Sequence, residues 1–320
     1  MVYFIVFVLL FVLELAYFKI ADHYNIIDKP NQRSSHSRIT LRGGGIIFYI
    51  GALLYFIWSG CQYPWFFLGL TMMTIVSFAD DILTLSNKIR LMVHFASVLL
   101  MAYDLQIFSF PWYYLIISFI LIVGVINAYN FMDGINGITA CYSLAVGTLL
   151  VMVNAKLNFI DQDLLLFSLL GVVVFGIFNF RTNAKCFAGD VGSVAIAFIL
   201  LFGLGKLILQ TGNFIYILFL AIYGIDAVWT IIRRLYRKEN IFEAHRSHLY
   251  QFLGNEAGIN KLVISFLYGL VQFVIGLVVL NIAGESYNYQ VLFSIVLLGV
   301  LSVLYLVLKT YIIKKYATSK

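Results

Sequence analysis

The chain has 320 residues, of which 62% are hydrophobic and only 11% are charged, and its formal net charge is +6. A soluble domain carries about a quarter charged residues, so this composition excludes that class and predicts an integral membrane protein. No soluble basic region or aromatic platform accompanies the positive charge, so the sequence does not predict binding to nucleic acid.

The apolar segments define the predicted architecture. Segments of roughly 17–25 residues can cross a bilayer as helices, and lipid-exposed backbone must be hydrogen-bonded internally. The candidates are 2–20, 43–59, 64–79, 90–105, 111–127, 137–153, 163–180, 193–209, 213–231, 259–281 and 290–312. We therefore predict one all-α, polytopic membrane domain over residues 1–320, with about eleven transmembrane helices.

The basic residues predict the orientation of these helices. The connecting segments on one side lie nearest to 19 of the 21 lysines and arginines, all except Lys156 and Lys206. Positive charge is retained on the cytoplasmic side, so this side is predicted to be cytoplasmic. The N-terminus is then periplasmic and the C-terminus cytoplasmic. The first segment lacks a basic leader and a clean cleavage site, which indicates a retained helix rather than a signal peptide.

Polar side chains are concentrated in the same cytoplasmic segments, whereas the loops on the opposite side are short. A transporter is expected to place polar groups near the membrane midplane. Polar groups at helix ends on one side instead favour an enzyme that works at the cytosolic surface of the membrane.

Segment 178–193 has the pattern of a metal–phosphate site. Asp190 lies between Gly189 and Gly192, directly before a helical apolar run. The free N–H groups of a helix N-terminus bind anions, and a carboxylate beside them suits a divalent cation.

Two further segments carry charge at helix ends. Segment 28–36, which includes Arg33, precedes the three glycines of 43–45. Asp80 and Asp81 end the third apolar segment, where adjacent carboxylates are costly without a cation or a proton. One of them could bind a metal or accept a proton while the other holds a lysine or arginine.

Segment 127–137 is rich in amides and acids. Asn127, Asn130 and Asp133 share an i, i+3 spacing, which places them on one face if the segment is helical. Farther along the chain, His245, Arg246 and His248 can donate hydrogen bonds to phosphate or diphosphate oxygens.

Taken together, these segments resemble the polyprenyl-phosphate N-acetylhexosamine-1-phosphate transferases. The matching stretches occur in the order of that family, at 28–36 with 42–45, 79–81, 127–137, 178–193 and 245–251. Loop 244–251 is most similar to the branch that initiates O-antigen on undecaprenyl phosphate. Two features depart from the family: Asn136 stands where many relatives carry an acid, and 181–184 lacks a proline that is often found there.

The resemblance implies a reaction. UDP-N-acetylhexosamine and undecaprenyl phosphate would give undecaprenyl-diphosphate-sugar and UMP, with Mg²⁺ or Mn²⁺ as cofactor. The site would lie on the cytoplasmic face of the bacterial inner membrane, and the product would start an O-antigen-like polysaccharide. The identity of the sugar and a homodimeric state are left open.

The resemblance also implies roles for the residues found above. Asp190 would be the leading metal ligand and Asn130 the next. Asp80 would position or deprotonate the lipid phosphate, and Asp81 would support a cation such as Lys88. Direct attack by the lipid phosphate is favoured, and a covalent intermediate on Asp80 or Asp81 remains the alternative.

For the donor, the resemblance implies that His245, Arg246 and His248 hold the diphosphate, while Asp133 contacts the nucleotide or orients the metal shell. The candidate substrate-binding residues are Asn127, Asp133, Lys88, Arg33, His245, Arg246 and His248.

A transporter or lipid flippase is the competing hypothesis from another class. Asp226 and Asp104 lie inside apolar segments, where acidic residues are functional candidates such as proton sites. For Asp226, a structural pairing with a neighbouring helix is the equally simple explanation.

Overall fold

The structure is a computed structural model that describes residues 1–30, 35, 38–83, 85–240 and 246–317. These residues form α-helices joined by short loops, with one small two-stranded ribbon. The helices are α1 (Val2–His23), α2 (Ile46–Trp58), α3 (Pro64–Leu83), α4 (Asn87–Asp104), α5 (Trp112–Met132), α6 (Ile138–Leu157), α7 (Gln162–Asn179), α8 (Gly189–Thr211), α9 (Ala221–Tyr236), α10 (Leu249–Gln251), α11 (Lys261–Ile282) and α12 (Tyr287–Ile312). The strands are β1 (Ile27–Asp28) and β2 (Thr40–Leu41), and shorter helical turns cover Ile107–Ser109, Phe214–Leu220, Phe252–Glu256 and Ile313–Ala317.

A helix occupies each apolar segment predicted from the sequence, which confirms the all-α, polytopic membrane architecture. Within the described residues, nine helical segments are long and apolar enough to cross a membrane. Helix α2 is shorter, with 13 residues, and α4 contains Lys88, Arg90 and Asp104. Membrane crossing by α2 and α4, and the orientation of the termini, remain predictions.

Helix α8 lies at the centre of the bundle, in contact with α2, α3, α5, α6 and α7. Residues 191–204 of this helix are all buried. A helix that is apolar on every side is stable when other helices surround it. The packing therefore surrounds the N-terminus of α8 with the ends of neighbouring helices.

The outer helices leave their apolar side chains exposed. Most of α12 is exposed, and its buried residues are Gln290, Tyr305, Lys309 and Ile312. Exposed apolar side chains on a membrane helix are solvated by lipid rather than by protein, so this surface is consistent with a lipid-facing helix.

Glycines bring α2 and α7 into backbone contact. A Cβ atom on Gly51 would lie 2.6 Å from the carbonyl oxygen of Phe167, and one on Gly171 would lie 2.8 Å from that of Ile47. Membrane helices associate through such small residues because lipid gives little hydrophobic drive for helix association. This packing supports α2, which begins beside the polar end of α8.

We expect Gly51→Ala to lower the unfolding temperature in detergent. The added methyl group collides with backbone rather than with a movable side chain, and overpacking costs about 1–3 kcal/mol. Gly124→Ala in α5 is the matched control, because a Cβ there meets no atom within 4 Å. Thermal unfolding of the three proteins checks this, and a wild-type unfolding temperature for Gly51→Ala would contradict it.

Candidate active site

The polar end of the bundle is organised by the chain that precedes α2. Strand β2 pairs with β1 and also bridges to Cys186. The backbone N–H of Phe187 donates to Leu41, and that of Gly44 donates to Phe187. These bonds hold residues 41–44 along the chain that enters α8. Arg42 is thereby held beside the N-terminus of α8.

Asp81 fixes the start of α8. Its Oδ1 accepts the backbone N–H of Asp190 at 3.0 Å, and its Oδ2 accepts that of Val191 at 3.1 Å. The side chain of Asp81 is fully buried. Free N–H groups and the helix dipole both favour a carboxylate at this position. Asp81, at the end of α3, therefore determines where Asp190 lies.

Gly189 makes this contact possible. Its φ of +72° is in the left-handed region, and a Cβ there would lie 2.5 Å from Asp81 Oδ2. Glycine adopts this conformation without steric cost. The glycine noted in the sequence therefore admits a carboxylate of the protein itself to the helix end.

Two arginines join three carboxylates into one cluster. Arg42 Nε lies 2.7 Å from Asp81 Oδ1, and its Nη2 lies 3.6 Å from Asp190 Oδ1. Arg90 Nη1 lies 2.7 Å from Asp80 Oδ2, and its Nη2 lies 3.5 Å from Asp190 Oδ2. The side chain of Asp190 is 21% exposed, against 9% for Asp80 and none for Asp81. Asp190 is therefore the most accessible carboxylate of the cluster.

The carboxylates around Arg42 favour the charged form of its guanidinium group. Burial opposes the charge of Arg42, but the carboxylates of Asp81, Asp190 and Asp28 outweigh it and raise the pKa of that guanidinium. In the loop after α3, the second oxygen of Asp80 accepts the backbone N–H of Leu85 at 2.6 Å.

The cations of the cluster differ from the sequence-based expectation. Asp81 was expected to support Lys88, but its partner is Arg42, and Lys88 is exposed. Arg90 was not predicted as a site residue at all. The Ser86 side chain accepts the N–H of Ile89 and begins α4 there, so Arg90 lies in the first turn. The only sequence signal for Arg90 was its position, one turn into the helix that follows Asp80 and Asp81.

The polar side chains of segment 127–137 do not all lie at the start of α8. Asn130 Nδ2 donates to Ser193 Oγ at 3.2 Å, which puts Asn130 beside the start of α8. Asn127 Nδ2 donates instead to the Val123 carbonyl of its own helix. Helix α5 ends at Met132, so Asp133 lies beyond it rather than on a shared helical face.

Asp133 lies in the loop between α5 and α6 and accepts the Thr139 hydroxyl at 2.5 Å. Burial raises the pKa of Asp133 to about 7, and the negative charges of Asp190 and Asp81 add to this effect. Bound positive charge would oppose the shift, because it favours the ionised carboxylate.

The loop after α9 carries the predicted donor-binding residues. Arg246 pairs with Glu256 at 3.3 Å. His248 is buried, and its Nδ1 lies 3.2 Å from Asp226 Oδ1. The Tyr250 hydroxyl donates to the Phe131 carbonyl, which joins this loop to the end of α5. The roles of Arg246 and His248 at a donor diphosphate remain predictions, and His245 and Arg33 lie outside the described residues.

The two acids that suggested a transporter both have structural partners. Asp226 is hydrogen-bonded to His248, as described above. Asp104 Oδ2 accepts the N–H of Phe66 at the start of α3, 2.6 Å away, and the Asp104 carbonyl accepts Lys206 Nζ. The pairing interpretation of Asp226 therefore fits the structure better than an isolated proton site.

The residues at the start of α8 suit a divalent cation only if substrate phosphates supply further ligands. Among the described residues, no three histidines, cysteines, aspartates or glutamates are arranged so that they could hold a metal ion by themselves. Asp190 and Asn130 nevertheless both lie at the start of α8, with oxygen atoms of the kind Mg²⁺ prefers. Mg²⁺ is commonly held by one or two carboxylates together with substrate phosphates.

A basic pocket of about 590 Å³ lies near the loop that carries Asp133. Asn136 of that loop borders the pocket and donates to the carbonyl oxygens of Arg181 and Thr182. The described residues that line it include cations and amides and no acid: Arg38, Arg181, Lys185, Lys261, Asn136, Asn183 and Asn255. The pocket is suited to a polar anionic ligand.

Comparison with known proteins places this chain in a family. The model of glycosyl transferase family 4 matches residues 63–225, just over half of the chain. The probable undecaprenyl-phosphate N-acetylglucosaminyl 1-phosphate transferase of Bacillus subtilis is 27% identical over 303 residues, with 87% of this chain and 84% of that protein covered. The undecaprenyl-phosphate alpha-N-acetylglucosaminyl 1-phosphate transferase of Thermotoga maritima is 26% identical over 288 residues, with 87% of both chains covered.

A third relative represents another branch. The phospho-N-acetylmuramoyl-pentapeptide-transferase of Thermotoga maritima is 25% identical over 265 residues, with 75% of this chain and 85% of that protein covered. The resemblance drawn from the sequence motifs is confirmed, and the chain belongs to glycosyl transferase family 4.

Proposed function

We propose that this protein transfers N-acetylhexosamine-1-phosphate from a UDP-sugar to undecaprenyl phosphate. The observation that carries the proposal is the cluster of Asp80, Asp81, Asp190, Arg42 and Arg90 at one end of a membrane-embedded bundle. Supporting it, relatives named as undecaprenyl-phosphate sugar-phosphate transferases align with most of the chain. The product would be the first lipid intermediate of an O-antigen-like surface polysaccharide.

The reaction makes one phosphorus–oxygen bond and breaks another. An oxygen of the lipid phosphate attacks the phosphorus that carries the sugar, and the bond from that phosphorus to the UMP oxygen breaks. The products are undecaprenyl-diphosphate-sugar and UMP. A phosphate monoester has its second pKa near 6, so the lipid phosphate is mostly a dianion at neutral pH. A general base can add little, and positioning of the two phosphates supplies most of the catalysis.

The cluster supports direct attack rather than a covalent enzyme intermediate. Both oxygens of Asp81 are occupied by backbone N–H groups and Arg42. Both oxygens of Asp80 are occupied by Leu85 N–H and Arg90. Hydrogen bonds and a guanidinium group stabilise the charge of such a carboxylate, which makes it a weaker nucleophile. Asp80 and Asp81 instead position the two guanidinium groups.

Arg42 and Arg90 each contact Asp190 at 3.5–3.6 Å, which is longer than their 2.7 Å contacts with Asp81 and Asp80. The longer contacts are the ones that substrate phosphates would replace. Guanidinium groups bind phosphate oxygens strongly, through paired hydrogen bonds. Each arginine would keep its tight carboxylate and turn its free donors to a phosphate.

Asp190 and Asn130 are the residues that would hold Mg²⁺, or Mn²⁺ in its place. When bound, the cation neutralises the charge that the two joined phosphates bring to the site. The basic pocket of about 590 Å³ next to the Asp133 loop would take the anionic UDP-sugar. The lipid phosphate would reach the cluster from the membrane, at the level where a lipid headgroup lies. The site would then lie on the cytoplasmic face of the bacterial inner membrane, where basic residues are retained.

The first test is UMP release by the purified protein. The assay contains undecaprenyl phosphate, Mg²⁺ and a panel of UDP-N-acetylhexosamine donors, and we expect release that requires all three components. The donor with the largest kcat/KM identifies the sugar. Absence of release with every donor, from folded protein that binds the lipid, would overturn the proposed function.

Asp190→Asn is expected to lower metal-dependent UMP release about 100-fold or more. The unfolding temperature should change little, because Asp81 bonds to the backbone of residue 190 and not to its side chain. Asp163→Asn is the control, since Asp163 lies in the first turn of α7, where it bonds to Tyr3. A transporter with its site at the membrane midplane would tolerate Asp190→Asn, so unchanged turnover would contradict the assignment of Asp190.

Asp81→Asn, unlike Asp190→Asn, is expected to lower the unfolding temperature clearly. An amide cannot accept two backbone N–H groups and pair with Arg42, so at least one buried donor is left unsatisfied, at a cost of about 1–3 kcal/mol. Thermal unfolding in detergent should therefore show a clear decrease for Asp81→Asn relative to Asp190→Asn. Equal unfolding temperatures for the two variants would contradict the anchoring role of Asp81.

A further inference from the structure

Two loops meet along one side of the basic pocket of about 590 Å³. One loop comprises residues 133–137 between α5 and α6, and the other comprises residues 180–188 between α7 and α8. The first loop contributes Asn136 to the lining of the pocket, and the second contributes Arg181 and Lys185. The contacts between these loops therefore decide where two of the pocket's cations lie.

Asn136 joins the two loops through its side-chain amide. Its Nδ2 lies 2.7 Å from the carbonyl oxygen of Arg181 and 3.2 Å from that of Thr182. Both partners can only accept hydrogen bonds, so the nitrogen of the amide, and not its oxygen, must face them. The NH2 group carries two hydrogens, one for each carbonyl. A carboxylate of the same size could make neither bond.

The backbone of Asn136 is held in turn by side chains of two helices. The buried Ser265 hydroxyl of α11 donates to the Asn136 carbonyl at 2.8 Å. The backbone N–H of Gly137 donates to Oδ1 of Asn179, at the end of α7, at 2.6 Å. The amide of Asn136 therefore extends from a fixed backbone and can serve as an anchor for residues 181 and 182.

The anchored segment is exposed and has few other constraints. The side chains of residues 181–183 are all exposed. The N–H of Arg181 donates to the nearby Asn179 carbonyl at 2.7 Å, and the N–H of Lys185 donates to that of Phe178 at 2.9 Å. In the part of the chain that the structure describes, Asn136 is the only donor to the carbonyls of residues 181 and 182. The position of this segment therefore depends on the Asn136 amide.

The side chain of Arg181 is oriented as well. Its Nε donates to the Ile177 carbonyl at 2.6 Å, and its guanidinium carbon lies 5.7 Å from the centre of the Phe178 ring. With Nε engaged, the two Nη groups remain for a ligand. None of the cations that line the pocket forms an ion pair with a described residue: Arg38, Arg181, Lys185 and Lys261. Unpaired cations around a concave surface attract an anion.

We propose that Asn136 is a positioning residue for the donor. Its amide holds the backbone of residues 181 and 182, and Arg181 then presents its guanidinium group to the anionic part of the nucleotide-sugar. This inference rests on the proposed function, because it takes a UDP-sugar as the ligand of the pocket. A cation that is already oriented loses less freedom on binding, so the affinity for the donor depends on the anchor.

The first test measures UDP binding by calorimetry with the purified full-length protein in detergent. UDP carries the two phosphates common to every donor of the proposed reaction. We expect Asn136→Ala to raise the Kd for UDP about 5-fold to 30-fold, as for the loss of two orienting hydrogen bonds. In turnover, the KM for the UDP-sugar should rise by a similar factor, while kcat and the KM for undecaprenyl phosphate stay within about twofold of wild type.

Asn281→Ala is the matched control for this variant. The Asn281 amide also donates to a backbone carbonyl, that of Leu277 at 3.0 Å, but at the far end of α11. The unfolding temperature should change little in either variant, because the carbonyls that lose their donor are exposed and can bond to water instead. A KM for undecaprenyl phosphate that rises as much as the KM for the donor would overturn the proposal.

A double-variant cycle tests whether Asn136 acts through Arg181. If it does, Asn136→Ala weakens UDP binding little further in an Arg181→Ala background. Additive losses in the cycle would overturn the proposal and leave Asn136 with a structural role only.

Limited digestion of the wild-type protein keeps the proposal testable if Asn136→Ala does not fold. Trypsin cleaves the bond after Arg181, whose carbonyl is one of the two that Asn136 holds. We expect UDP to slow this cleavage relative to cleavage after Lys238, which is exposed in the loop after α9, and we expect faster cleavage in Asn136→Ala. UDP that binds without slowing cleavage after Arg181 would overturn the proposal. Folded wild-type protein that binds no UDP would instead refute the proposed function, and faster cleavage in Asn136→Ala would then leave the Asn136 contact standing.

Discussion

The end of the bundle proposed as the active site depends on one buried carboxylate, which lies near the end of one helix and accepts hydrogen bonds from the start of another. Asp81, near the end of α3, accepts the first backbone N–H groups of α8 and pairs with Arg42. The helix dipole, the free N–H groups and the guanidinium group all stabilise its charge. The position of Asp190 follows from this contact, because Asp190 supplies one of the bonded N–H groups. The chain before α2 is held by hydrogen bonds to residues 186–188, so that Arg42 is ready for its partner.

The carboxylates and guanidinium groups around Asp81 nearly neutralise one another, which explains how so many charges are tolerated at the end of a membrane bundle. Three carboxylates and two guanidinium groups leave one net negative charge, and the most exposed carboxylate, Asp190, makes the longest ion-pair contacts. The short ion pairs of this cluster involve its more buried carboxylates, and the longer ones involve its most accessible carboxylate. In the proposed reaction, a cation and phosphate groups would replace the longer ion pairs, while the shorter pairs would continue to hold the helices together.

Two polar networks hold different helices in place. The cluster at the start of α8 holds α2, α3 and α4 in place, whereas a second network, centred on the buried Asp226, attaches the loop with His248 to α9, α11 and α12. Tyr250 and Gly134 connect the two, since the tyrosine hydroxyl reaches the end of α5 beside Asp133. Helix α12 contributes little to the packed interior otherwise, and its buried Tyr305 and Lys309 are the residues that complete the Asp226 network.

The sequence by itself determined the membrane architecture, the helix positions and the segments that carry the polar side chains, because long apolar runs can only be helices in lipid and charged residues collect at their ends. It also made Asp80, Asp81, Asp190, Asn130 and Asp133 candidates by their type and position, although Asp133 lies beyond the helix that was expected to place it on one face with Asn130. Only the tertiary structure decided the pairing of these residues. Lys88 is close to Asp81 in the chain, yet the partner of Asp81 is Arg42. Arg90 pairs with both Asp80 and Asp190, although no motif in the sequence marked Arg90. Asp226 and His248, 22 residues apart, are in contact in the folded chain. Such pairings depend on which helix ends come together, and that is set by packing around α8 rather than by local sequence.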